Sequence, residues 1–178
     1  MAAITTSFHI GDKVVYPNHG VGIIEQISAR TMGASVERFY MLKFHASSLK
    51  VMIPFANIAN VGLRQVVHTG EISAIMGFLM TGEIVDNTDW KDRYRENSDK
   101  MRTGSLMDVA IVLKGLIQVG QIKSLSFREK KMLERARYLL VSELAIANGC
   151  TEAETEDALR EALLKCDLRF PEAAVFEA

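Results

Sequence analysis

Near Gly70 the apolar pattern of the chain changes period, and no single layer of secondary structure accommodates both halves. Before that point the apolar residues come in short runs: KVVY from Lys13, GVGIIEQIS from Gly20, VERFYMLKF from Val36 and LKVMI from Leu49. β-Branched and aromatic residues dominate them, and turn formers separate them, as in Pro17-Asn18-His19-Gly20 and Met32-Gly33-Ala34-Ser35. Pro54 cannot donate to a ladder and ends the fourth run, leaving Val61 to Val67 as a short fifth strand. Five short strands in about seventy residues point to a small, strongly bent antiparallel barrel of the Tudor-like or SH3-like kind. Such barrels usually bind partners and do no chemistry.

Beyond Gly70 the spacing is helical. Leu106, Val109, Ala110, Leu113 and Ile117 share one face, and Leu133, Ala136, Leu140, Leu144 and Ala147 share another. The second stretch opens on Ser126-Phe-Arg-Glu129, a capping box, and stops at Asn148-Gly149, a left-handed cap. Thr151-Glu-Ala-Glu154 repeats the capping box for a last helix running to about Lys165. With Glu71–Met80 and Asp89–Arg102 this makes about five helices in a compact bundle. The chain is therefore α+β: a β-barrel domain over residues 1–68, then a helical domain over 71–178, with the boundary near His68 to Glu71.

Net charge is −1, yet the charge is unevenly spread. Met1 to Gly70 has six basic and three acidic side chains, and Glu71 to Trp90 has four acids with no Lys or Arg. Lys91 to Arg137 has twelve basic against six acidic, whereas Tyr138 to Ala178 has three against nine. The middle suits a polyanion and the end does not. No apolar run is long enough to span a bilayer, and MAAITTSFHIGDK lacks the pattern of a secretory signal, so a cytoplasmic protein without membrane contact is expected. Cys150 and Cys166 have no CxxC or Cys-His spacing and read as reduced thiols.

Catalytic patterns are missing. His9, His19, His45 and His68 are scattered through the strand-rich half, none in HExxH or at a diagnostic spacing from a nucleophile, and read as surface or turn residues. Gly20-Val-Gly22 resembles the start of a dinucleotide loop, but a strand follows where a phosphate loop must open a helix. Those glycines read as a tight hairpin and close backbone packing. No enzyme, cofactor, metal site or small-molecule substrate is expected.

Four stretches in order carry a resemblance that spans nearly the whole chain: GDKVVYPNHGVGIIEQI from Gly11, VGLRQVV from Val61, DWKDRYREN from Asp89 and KKMLERARYLLVSELA from Lys130. Together they resemble the CarD/CdnL family of bacterial transcription regulators. The first stretch alone is also similar to the polymerase-interacting module of transcription-repair coupling factors.

The resemblance implies a protein without catalytic activity that rides on RNA polymerase at promoters. A Tudor-like domain would hold the polymerase β subunit, and the helical domain would reach DNA at the upstream edge of the melted region. A tryptophan matching Trp90 would wedge into the minor groove, so that the open complex persists longer or forms faster. Arg30 matches a family position implicated in the polymerase contact. Another such position, basic in some relatives, falls on Met52, which hints at a more apolar interface. An edge strand carrying Val51, Met52 and Ile53 is the expected handle, with Val51 and Ile53 facing the strand core opposite Met52.

The candidate DNA contacts are Trp90 with Lys91, Arg93, Arg95, Lys114, Lys123, Lys130 and Lys131. Neutralising phosphates releases counterions and gives affinity without sequence choice, while a flat aromatic can hold an unstacked step open. On the residues alone, a tryptophan at a helix start reads more readily as a partly buried staple; the resemblance reverses that preference. Arg93 and Arg95 are too close to share a helix face, so at most one points at phosphate while the other pairs with an acid. Of Lys130 and Lys131 only one need face DNA, and Tyr94 and Met101 read as core. The rival reading is an adaptor tethering another protein to polymerase without touching DNA. One joint patch of Lys91, Arg95, Lys114 and Lys130 favours DNA; scattered cations beside an exposed apolar groove favour the adaptor.

Overall fold

The computed structural model describes residues 7–45, 47–81 and 89–170. Glu83, Asp86, Glu172 and Glu177, which contribute to the acidic stretches read above, lie outside them. The chain forms two compact units, Met1–Val66 and Val67–Ala178.

The first unit is one antiparallel sheet. Its strands are β1 (Lys13–Tyr16), β2 (Gly20–Met32), β3 (Ser35–Phe44), β4 (Lys50–Pro54) and β5 (Arg64–Gln65), in the order β4-β3-β2-β1-β5. β1 and β2 join through a turn in which Asn18 takes φ 61° and Gly20 φ 101°. Gly22 is needed for a different reason. A methyl group there would lie 2.6 Å from Leu42 Cδ1 and 2.9 Å from the Lys43 carbonyl oxygen, so β2 and β3 approach closely only because it has no side chain. One face of the sheet buries Val14, Ile24, Tyr40, Leu42 and Ile53 together with Phe8 and Leu63. The Tyr40 hydroxyl accepts from the Phe8 amide at 3.0 Å, so the buried phenol keeps a polar partner.

Three expectations are corrected in this unit. The sheet is open rather than a closed barrel, with β4 and β5 at its edges. β2 continues past Ser28 to Met32, which places Arg30 inside the strand, opposite Glu37, rather than after it. The fifth strand shrinks to two residues. Ile58–Val61 instead forms a short helix, α1, stopped by Gly62 in the left-handed conformation, and Val67 joins the core of the second unit.

The second unit contains α2 (Thr69–Thr81), α3 (Trp90–Arg102), α4 (Leu106–Ile122), α5 (Phe127–Asn148) and α6 (Glu152–Leu164). The apolar face read from Leu106 to Ile117 is buried throughout, and α4 packs on both α3 and α5. Both capping boxes form as read, and Gly149 closes α5 at φ 67°. The buried Glu143 carboxylate accepts from the Val67 amide at 3.1 Å, tying the entry of α2 to α5.

The far end of α2 is capped from a distance. The last carbonyls of a helix have no partner within it. Here the Lys114 ammonium, 1% exposed, donates to the Phe78 carbonyl at 2.9 Å, and the Cys166 thiol donates to that of Met80 at 2.7 Å.

Candidate nucleic-acid interface

Charge and capping shape α3 more than apolar content does. Asp89 caps it, its side chain accepting from the Lys91 amide at 2.8 Å. Asp92 stands in the first turn and Lys100 and Arg102 in the last, each at the end the helix dipole favours. The only residues it fully buries are Arg93 and Met101. Arg93, 6% exposed, donates from Nη2 and Nε to Oε1 of Glu129 at 2.7 and 3.2 Å. The other oxygen of Glu129 accepts from the Ser126 amide at 2.9 Å and from its hydroxyl at 2.8 Å. Burial pushes the Glu129 carboxyl up, but the bonds from Arg93 and Ser126 outweigh it and hold it below its ordinary value. The start of α3 is thereby fixed beside the start of α5.

Trp90, the first residue of α3, is 51% exposed, with the Lys91 ammonium 5.8 Å from its ring centroid. The indole is not a sealed core residue. Lys91, Lys123, Lys130 and Lys131 are exposed, as is Arg128, which the sequence reading passed over. Among the described residues none of these five has a carboxylate at ion-pair distance. Arg95 is exposed and pairs with Asp92 at 3.2 Å. Met101 is buried and Tyr94 half-buried.

Two candidates leave the surface. Arg93 is committed to Glu129, and Lys114 to the end of α2, where its ammonium also lies 5.0 Å from the Phe78 ring centroid. Reaching a phosphate would strip either cation of a buried partner, at a cost of several kcal/mol. The joint patch of Lys91, Arg95, Lys114 and Lys130 that would favour DNA therefore loses Lys114. A cleft of about 400 Å³ opens beside α3 and α4, but Glu96, Asn97, Lys100 and Gln118 share its walls with Ile111 and Ile122.

In the first unit, β4 pairs with β3 and is otherwise an edge. Val51 lies opposite Leu42 and Ile53 opposite Tyr40, on the core side, whereas Met52 faces outward opposite Met41. Ile53 is buried, Val51 and Met52 are half-buried, and Arg30 is exposed. His9, His19, His45 and His68 are all exposed.

Phe127 also went unnoticed in the sequence; its side chain is 68% exposed with the Lys131 ammonium 4.6 Å from the ring centroid. A signal was present. Phe127 lies nine residues before Ala136, about two and a half helical turns, and so on the opposite face of α5.

Comparison with known proteins finds two family descriptions that match the chain in order. Residues 8–67 match the family described as CarD-like/TRCF RID domain, and residues 74–160 match CarD, C-terminal domain. A putative transcription factor, YdeB of Bacillus subtilis (strain 168), is 37% identical over 147 residues, which covers 83% of this chain and 96% of the relative. Both halves match in order, and the likeness extends through most of the length, so the chain belongs to the CarD/CdnL family of bacterial transcription regulators.

Proposed function

We propose that this regulator is non-catalytic and stabilises the promoter open complex, holding the polymerase β subunit with its first unit and DNA at the upstream edge of the bubble with its second. The observation that carries the reading is the half-exposed Trp90 at the head of α3, on a helix pinned to α5, with the Lys91 ammonium beside the ring and, among the described residues, no carboxylate at ion-pair distance from Lys91, Lys123, Lys130 or Lys131. The indole supplies a flat apolar surface that props an unstacked step open, and Lys91, Lys123, Lys130 and Lys131 supply phosphate contacts. Stacking on a base contributes roughly 1–3 kcal/mol, and its low end is a factor of about five in an equilibrium constant. On the polymerase side, the free edge of β4 around Met52 supports strand addition, with Arg30 as a charged contact.

The salt dependence of promoter binding by the polymerase-bound protein tests this. Each phosphate contact adds about −0.9 to the slope of log affinity against log salt. Removing Lys130 or Lys131 should flatten the slope by about one contact. A slope that no lysine substitution in the second unit changes would favour the adaptor.

A further inference from the structure

The helical unit exposes four large apolar side chains among the described residues: Trp90, Ile122, Phe127 and Leu164. The first three share one end. α3 passes into α4 through a short turn at Thr103–Ser105, and α4 into α5 through Lys123–Ser126, so α4 ends where α3 and α5 begin. Arg93 and Ile122 line the same cleft, and Arg93 bonds Glu129.

Among the described residues Phe127 belongs to neither hydrophobic core. The core stripe of α5 lies on the opposite face, and the capping box uses Ser126 and Glu129. The apolar residue before the cap, Leu125, already packs on the core. What surrounds the ring is charge: Lys131 over its face, with Arg128, Lys130 and Lys123 exposed nearby in the chain. A flat ring beside cations that, among the described residues, have no carboxylate partner is complementary to a polyanion that itself offers flat faces, as DNA does where bases are unstacked.

We propose that Phe127 is a second aromatic contact to promoter DNA, stacking on a base at the strand junction while Lys130 and Lys131 meet the flanking phosphates. The inference rests on the reading that this unit binds DNA. Phe127 and Glu129 are two residues apart, about 200° around α5, so Phe127 faces away from the Arg93 side and touches a different nucleotide from Trp90.

The test is open-complex lifetime on a linear promoter with polymerase and the full chain, comparing wild type with Phe127→Ala, Phe127→Trp and Trp90→Ala. Phe127→Ala should shorten the lifetime about fivefold or more, and Phe127→Trp should restore it. Helicity, salt slope and polymerase affinity without DNA should stay unchanged. If Trp90→Ala shortens the lifetime and Phe127→Ala does not, the second contact is overturned while the DNA reading stands. If both match wild type, the DNA reading falls with it. Weakened polymerase binding by Phe127→Ala without DNA would assign the ring to a protein surface and overturn the proposal.

Discussion

Glu129 serves two helices at once: Oε1 accepts the Arg93 guanidinium at 2.7 Å, and Oε2 accepts the Ser126 hydroxyl at 2.8 Å. The carboxylate that closes the capping box of α5 is thus also the anchor for α3, whose exposed first residue is Trp90.

Removing either partner leaves the other charge buried. Arg93→Ala or Glu129→Ala should destabilise the helical unit by about 3–5 kcal/mol, read as a lower thermal or urea midpoint. Replacing both with apolar residues of similar volume should recover part of that loss. Equal stability of all these variants would show that the pair is not an anchor.

The same pair fixes the response to acid. The Glu129 carboxyl is held below its ordinary value, so its contribution to stability is complete above about pH 4.5. It is lost as pH falls through the lower, folded-state value. Urea melts across this window should show Glu129→Gln with a shallower acid loss than wild type. Parallel curves would remove Glu129 from the account.

Lys114 separates folding from binding. Lys114→Met leaves the Phe78 carbonyl without its donor and should cost about 1–3 kcal/mol of stability. The salt slope of DNA binding should not change, in contrast to Lys130→Ala. A flatter slope for Lys114→Met would return that cation to the DNA surface.

The long-range partners mark the limit of what the sequence revealed. Ser126, Glu129, Thr151 and Glu154 could be read directly because a capping box is written within four residues. The apolar faces of α4 and α5 followed from their period for the same reason. The sequence could say that one of Arg93 and Arg95 pairs with an acid but not which acid, and Lys114 read as a DNA contact, because their partners, Glu129 and the Phe78 carbonyl, are each 36 residues away. The stretch Ala29–Met32 of β2 is exposed on both sides and carries no alternation, so the sequence pattern ends the strand at Ser28. Ile58–Val61 is a single helical turn, too brief for any period to register, and with its cap at Gly62 it takes only the start of the expected fifth strand.

Two glycines should respond oppositely to alanine. Gly22→Ala drives a methyl group against the Lys43 carbonyl and Leu42, and should cost the first unit about 1–3 kcal/mol. Gly77 lies within α2 with nothing within 4 Å of an added methyl, so Gly77→Ala should stabilise the second unit by about 0.5–1 kcal/mol. Unfolding curves of the full chain check both, and a stabilising Gly22→Ala would show that β2 and β3 can separate at no cost.

The most direct test of the account is the lifetime of the promoter open complex with Trp90→Ala. The exposed indole does not hold the core, so the variant should keep wild-type helicity, melting and polymerase affinity. Its open complex should decay about fivefold or more faster than with wild type. A fully folded Trp90→Ala protein that sustains the open complex as long as wild type would contradict the wedge.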